Sequence, residues 1–162
     1  MGAGKSTVGR MLADRTRRAF VDVDLAIVAR TGRTVRELWE AGGEAAYRRL
    51  ESEEVIAVVD SEMATVLAAP AGVILDPAVR EALGKAFVVW LRAEPAALAG
   101  RVHPGDHRPL LGDDPFEVLE TMAERRSGLY AEVADAVVDT GAVPPEAAVE
   151  MIIDQLRHAG II

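Results

Sequence analysis

The chain has 162 residues, of which 50% are hydrophobic and 27% are charged, so it has the size and composition of a single folded domain spanning residues 1–162. The formal net charge of −8 argues against the basic face that nucleic-acid binding needs, so an anionic ligand would have to meet a local cluster of arginine and lysine. Cysteine is absent, which excludes disulfides and zinc–thiolate sites. No apolar run reaches the roughly 18 residues of a membrane span, so we expect a cytoplasmic protein with neither a membrane nor a nucleic acid as partner.

The chain opens with the segment Met1-Gly2-Ala3-Gly4-Lys5-Ser6-Thr7, whose Gly-x-Gly-Lys-Ser core matches the end of a Walker A loop. Glycines allow backbone N–H groups to curl around phosphate oxygens, Lys5 can reach the β- and γ-phosphates, and the Ser6 hydroxyl can ligate Mg²⁺. The segment therefore predicts a nucleotide site formed by Gly2, Ala3, Gly4, Lys5, Ser6 and Thr7. The alternative is a glycine-rich N-terminal tail.

The first glycine of a full Walker A loop, and the buried strand that normally precedes it, do not occur in this chain. We expect that the chain begins roughly ten residues too late; the alternative is that Met1 is the true start of a degenerate loop. In such a fold the preceding strand is central, so its loss predicts a gap in the sheet, exposed apolar neighbours around Val21 and Val88, low stability and weak activity.

Helical and strand patterns alternate after this loop. The helical patterns cover residues 5–18, 25–30, 44–60, 77–83, 95–101, 116–133 and 144–159, and the strand patterns cover 20–24, 64–69, 86–91 and 136–139. Thr34 followed by Glu37 is a capping-box pattern that opens a further helix, which Gly42 and Gly43 should break. The continuous apolar run 86–91 is typical of a strand buried on both faces. The alternation predicts an α/β fold with a parallel sheet covered by helices on both faces.

Two carboxylates, Asp22 and Asp24, close the first strand pattern. Alternate strand residues face the same side, so both would lie beside the phosphate loop. One carboxylate there suits Mg²⁺ and the other suits an attacking hydroxyl. The alternative is a solvated strand end.

Taken together, these motifs resemble shikimate kinase, a small P-loop kinase. The resemblance follows the whole chain in order, through the phosphate loop, Phe20-x-Asp22-x-Asp24, Thr31-Gly32-Arg33, Gly43-Glu44-x-x-Tyr47-Arg48-Arg49-x-Glu51, Arg108-Pro109-Leu110-Leu111 and Arg126-x-x-Leu129-Tyr130. It implies transfer of the γ-phosphoryl group of ATP to shikimate, giving shikimate 3-phosphate for aromatic amino acid biosynthesis, with Mg²⁺ as cofactor and a monomeric enzyme.

The resemblance also implies residue roles. Ser6 and Asp22 would hold Mg²⁺, and Asp24 would bind the substrate hydroxyls and orient or deprotonate the attacking one. Arg48 and Arg126 would grip the substrate carboxylate, for which the planar guanidinium fork is suited. The segment at about 103–115 would be a mobile lid whose Arg108 meets the transferring phosphate, and Arg101 and Pro145 would flank adenine. His103 and His107 are expected to be lid residues without a catalytic role.

The chain departs from the family pattern after its 64–69 strand. Shikimate kinases carry three glycines there, and this chain has Pro70-Ala71-Gly72, which keeps only Gly72 for close approach to the substrate. Proline removes a backbone N–H and fixes φ, so we expect weaker shikimate binding or a different cyclic polyol acid as substrate. The remaining alternatives are a kinase for gluconate or a nucleotide, and a non-catalytic paralogue.

Overall fold

The computed structural model describes residues 2–94, 97–98 and 115–162 of the chain. The helices are α1 (Lys5–Thr16), α2 (Val23–Thr31), α3 (Val35–Val59), α4 (Pro77–Leu83), α5 (Pro115–Val133) and α6 (Pro145–His158), and a 3₁₀ turn covers Ala71–Leu75. The strands are β1 (Ala19–Asp22), β2 (Thr65–Ala68), β3 (Val89–Arg92) and β4 (Ala136–Asp139).

The strands pair in two separate couples. β1 pairs in parallel with β2, with Ala19 opposite Thr65, and β3 pairs in parallel with β4, with Val89 opposite Ala136. No ladder joins β2 to β3 among the described residues. A cleft of about 960 Å³ lies there instead, lined by apolar side chains of both strands. The gap predicted in the sheet is therefore present, and it faces Val88, whereas Val21 lies on the outer strand β1 and does not line it.

Helices cover both faces of these strands. On one face, α1 and α6 bury a cluster that includes Val8, Leu12 and Ile152 together with Val138 of β4. On the other face, α2, α3 and α4 bury a second cluster, formed by Val23, Ile27, Val35, Tyr47, Val55, Val73 and Val79. The predicted α/β fold with parallel strands and helices on both faces is thus confirmed.

Two strands, β1 and β3, differ most from the sequence prediction. Val23 and Asp24 belong to α2 and not to a strand, because the Asp22 side chain accepts a hydrogen bond from the Leu25 N–H (3.4 Å) and starts the helix at once. The strand predicted over 86–91 begins only at Val89. The N–H of Val88 donates a hydrogen bond to the carboxylate of Asp135 (2.7 Å) and not to the backbone of a neighbouring strand. Residues of β3 are half-buried because they border the cleft.

Candidate active site

The phosphate-loop residues enter α1 through two left-handed glycines. Gly2 has φ 74° and Gly4 has φ 82°, a region that side-chain-bearing residues rarely adopt. Gly4 directly precedes α1, and the first turn of this helix carries no acidic residue, so its N–H groups and helix dipole favour an anion. Lys5 is half-buried and lines the cleft, whereas Ser6 and Thr7 are exposed. This geometry is that of a phosphate cradle.

A buried threonine that the sequence patterns did not reveal supports the loop. The Thr140 hydroxyl, at the carboxyl end of β4, lies 3.1 Å from the carbonyl oxygen of Ala3 and 3.2 Å from that of Arg92. Thr140 is only 5% exposed. It therefore ties the predicted nucleotide loop to the ends of β3 and β4. A lone Thr after a strand gives no distinctive signal in a single sequence.

Ser6 and Asp22 meet, as the predicted metal site requires. The Ser6 hydroxyl donates to Asp22 Oδ2 at 2.6 Å. The described residues contain no group of three or more metal-ligating side chains, so the protein offers Mg²⁺ two oxygens and not a cage. Mg²⁺ commonly binds through one or two protein oxygens together with water and substrate phosphates, so this pair fits it.

Asp24 lies in the first turn of α2, two residues beyond the end of β1, whereas the sequence placed it at the strand end. Its Oδ1 accepts a hydrogen bond from the hydroxyl of Tyr47 at 2.7 Å. Tyr47 is fully buried in α3, four residues after Gly43, whose non-helical φ of 71° kinks the helix where the sequence predicted a break. The kink joins the capping-box part of α3 to the part that carries Tyr47 and Arg48.

Arg48 is held by acidic neighbours on its own helix. Its Nη1 lies 2.6 Å from the fully buried Glu51 and its Nη2 lies 3.3 Å from the half-exposed Glu44. Burial alone would lower the pKa of Arg48, but the hydrogen bond and charge of Glu51, assisted by Glu44, outweigh it and raise the pKa. The guanidinium also lies 5.9 Å from the ring centroid of Trp39. Arg48 is therefore a permanently charged and oriented cation.

Gly72 lies against this guanidinium. A Cβ added at Gly72 would be 2.5 Å from Arg48 Nη1, so only glycine allows Arg48 its present place. The preceding Pro70 is buried, and its carbonyl accepts the N–H of Val73 at 3.2 Å within the 3₁₀ turn. Gly72 thus gives the Arg48 guanidinium its space, and the predicted approach of Gly72 to the substrate stays a prediction.

The pKa of Tyr130 is affected by two arginines, Arg126 and Arg48. Burial raises the pKa of Tyr130, while Arg126 and, more weakly, Arg48 act to lower it. The Tyr130 hydroxyl donates to the carbonyl of Ala71 at 2.7 Å, which fixes α5 against the 3₁₀ turn. Arg126 lines the same cleft as Lys5 and Ala71. The two arginines that the sequence predicted for a carboxylate therefore both lie close to Tyr130.

Three predicted site residues, Pro145, Arg101 and Arg108, stay predictions. Pro145 is exposed at the first position of α6, which suits a proline because that N–H has no helical partner. Arg101, Arg108 and most of the predicted lid at about 103–115 lie outside the described residues.

Among the described residues, the buried indole N–H of Trp39 has no hydrogen-bond partner, and this donor beside Arg48 was not anticipated.

Asp22 and Asp24 lie at and just beyond the carboxyl end of β1 and Gly72 follows that of its parallel neighbour β2, the usual place for a ligand in an α/β sheet. The family model for shikimate kinase matches residues 1–157. The chain belongs to the shikimate kinase family. Among its relatives in this family, the shikimate kinase of Burkholderia pseudomallei is 43% identical, with all of this chain and 89% of that protein aligned. The shikimate kinase of Symbiobacterium thermophilum is 40% identical over 99% of this chain and 94% of its own length.

A solved shikimate kinase has the same fold. The structure from Acinetobacter baumannii, in complex with shikimate, superposes with a TM-score of 0.93 at 31% identity and covers 100% of this chain and 91% of that one. The resemblance inferred from the motifs is therefore confirmed, as is the P-loop kinase fold. No described helix of this shikimate kinase family member is long and apolar enough to cross a bilayer.

Proposed function

We propose that the protein transfers the γ-phosphoryl group of ATP to the 3-hydroxyl of shikimate, a step of aromatic amino acid biosynthesis. The loop of Gly2, Ala3, Gly4, Lys5, Ser6 and Thr7 holds the triphosphate, with Lys5 against the β- and γ-phosphates. The Asp24 carboxylate accepts the proton of the attacking hydroxyl. The new bond joins that oxygen to the γ-phosphorus, the bond to the β,γ-bridging oxygen breaks, and ADP leaves.

One observation carries the proposal. Arg48 lies against Gly72, and Tyr130 bonds the adjacent Ala71, so Arg48 and Arg126, which both affect the pKa of Tyr130, can bind one carboxylated acceptor beside the turn after β2. A planar guanidinium binds a carboxylate through two parallel hydrogen bonds. The buried Glu51 fixes Arg48 from behind, so the cation is oriented before the substrate arrives.

Mg²⁺ fits the Ser6–Asp22 pair, whose oxygens are 2.6 Å apart. When bound, it neutralises the charge that builds on the β- and γ-phosphate oxygens. Ser6 and Asp22 hold it on the protein side, and the helix dipole of α1 acts on the same phosphates.

Further parts of the enzyme belong to this proposal on the strength of the family resemblance. Arg108, which lies outside the described residues, meets the transferring phosphate. Arg101 and Pro145 flank the adenine. The enzyme is a single domain that works as a cytoplasmic monomer, and it uses neither nucleic acid nor a membrane.

The acceptor is tested by measuring ADP release with shikimate, gluconate, a nucleoside monophosphate or no acceptor, first with the wild-type chain and then with Arg48→Lys. Lysine keeps a positive charge beside Glu51 but loses the planar fork. We expect turnover to depend on shikimate, and the KM for shikimate to rise about 10- to 100-fold in the variant. This increase corresponds to the free energy of one or two hydrogen bonds to a charged group.

Arg49→Lys is the matched control, because Arg49 is the exposed neighbour on the same helix. Its KM for shikimate should stay at the wild-type value. ADP release that does not depend on an acceptor, or an equal change in both variants, would contradict the proposed role of Arg48.

A second candidate, phosphorylation of gluconate or a related polyol acid, is favoured by the sequence Pro70-Ala71. Pro70 has no N–H to offer a substrate, and Ala71 carries a methyl group where the family has glycine. The same acceptor panel decides between the two, since a higher kcat/KM for gluconate than for shikimate would establish the second candidate.

A further inference from the structure

Tyr47 combines complete burial with a polar contact to the proposed proton acceptor. Its side chain has 0% exposure, and its ring packs 6.1 Å from that of Trp39 at an interplanar angle of 40°. Packing of this kind needs the ring and not the hydroxyl. The hydroxyl donates to Asp24 Oδ1 at 2.7 Å, across 23 positions of sequence.

This hydrogen bond restrains the rotation of the Asp24 carboxylate. Asp24 lies in the first turn of α2, and Tyr47 is on α3 beyond the Gly43 kink, so the bond also ties one helix to the other. A bond to an ionised oxygen is among the stronger protein hydrogen bonds, and it is directional. Loss of the phenol oxygen would leave the ring in place and remove this restraint on the carboxylate.

We infer that Tyr47 is a positioning residue for phosphoryl transfer: its hydroxyl holds the Asp24 carboxylate in the orientation that meets the acceptor hydroxyl. The inference rests on the proposed function, because it assigns a task to the carboxylate that takes the proton. It predicts a kinetic effect on the chemical step and not on nucleotide binding. Reactions of this kind are sensitive to displacements of the reacting groups by about 1 Å.

The test compares Tyr47→Phe with the wild-type chain in the ADP-release assay, with kcat and both KM values measured and the thermal midpoint recorded. We expect kcat to fall about tenfold or more while the KM for ATP stays the same. In the Asp24→Asn background, the same change should have little further effect on residual turnover, since the hydroxyl acts through that carboxylate.

Two results separate the possible failures. If the wild type turns over shikimate and Tyr47→Phe keeps its kcat, with or without a lower thermal midpoint, the hydroxyl is structural and this inference is overturned alone. An equal loss of kcat in the wild-type and Asp24→Asn backgrounds also overturns it. If the wild type shows no acceptor-dependent turnover with any acceptor of the panel, the proposed function and this inference both fail.

Discussion

Gly72 illustrates how a backbone position controls a side chain elsewhere. An added Cβ would come 2.5 Å from Arg48 Nη1, and this contact is made with the mobile end of a long side chain. We therefore expect Gly72→Ala to displace the guanidinium at little cost in stability and to raise the KM for shikimate about tenfold or more, as for the loss of one charged hydrogen bond. Steady-state kinetics and thermal unfolding check both expectations.

Gly128→Ala is the matched control for that experiment. Gly128 lies in α5 between Arg126 and Tyr130, and an added Cβ would meet nothing within 4 Å. Alanine inside a helix is favoured over glycine, so this variant should be slightly more stable and keep its KM. A KM that is unchanged in Gly72→Ala would contradict the steric link between Gly72 and Arg48.

The residues of the candidate site could be predicted from the sequence more readily than the contacts between them. Ser6, Asp22, Arg48, Gly72 and Arg126 were singled out from motifs that stand in the sequence. Thr140 and Trp39 were not, because neither residue carries a local signature in the sequence. Tyr130 stands in a quoted motif, but its contact with Ala71 could not be read from that motif. Only the packed fold brings them to the site.

The start of α3 is a capping box, and it makes stability depend on pH. Glu37 Oε2 accepts the N–H of Thr34 at 2.7 Å, and Thr34 Oγ1 accepts the N–H of Glu37 at 3.2 Å. The Thr34 N–H and hydroxyl hold the pKa of Glu37 below its ordinary value of 4.5. A lowered pKa stabilises the folded state above the ordinary value, and this contribution is lost as the pH falls through the lowered pKa.

We expect Glu37→Gln to be less stable than the wild type at pH 7, and its stability to approach that of the wild type as the pH falls below 4.5. The glutamine can still accept the hydrogen bonds that the Thr34 N–H and hydroxyl donate. Urea unfolding at a series of pH values measures the difference. Glu40→Gln, an exposed change on the same helix, should show no such convergence. A difference in unfolding free energy between Glu37→Gln and the wild type that stays the same at every pH would contradict the capping-box explanation.

Secondary structure was predictable where local signals were unambiguous. The bounds of α4 match the prediction, because Asp76 caps the helix and Pro77 opens it. The first strand was predicted too long because hydrophobic alternation continues to Asp24, and the competing helix cap at Asp22 was not recognised. Burial of β3 was overestimated for a different reason, since a continuous apolar run does not reveal that one edge of the strand borders a cleft.

The molecule as a whole is divided by the cleft between β2 and β3. Each of these strands has four residues and presents an unpaired edge to the cleft, where half-buried apolar side chains such as Val66 and Leu91 lie. Unpaired edges and exposed apolar surface both oppose stability. We therefore expect the 162-residue chain to unfold at a low temperature.

An apolar segment joined ahead of Gly2 should fill this cleft. Ala3 is tied to the carboxyl ends of β3 and β4, so a strand leading into Gly2 would run parallel to its neighbours. A segment of about five β-branched residues should raise the thermal midpoint by roughly 5 °C or more and change the fluorescence of Trp90, which lines the cleft. A Gly/Ser segment of equal length is the control, and equal midpoints for both would contradict this assignment.

Helix α1 packs against β1 and β2 on one side of the division and against α6 on the other. The loop that precedes it is anchored through Thr140 to the second side. Splaying of the two halves would thus tilt the triphosphate cradle, and by reciprocity an occupied cradle resists splaying with the same free energy. A bound nucleotide would therefore hold the two halves on either side of the cleft together, so that part of its binding free energy would stabilise the fold.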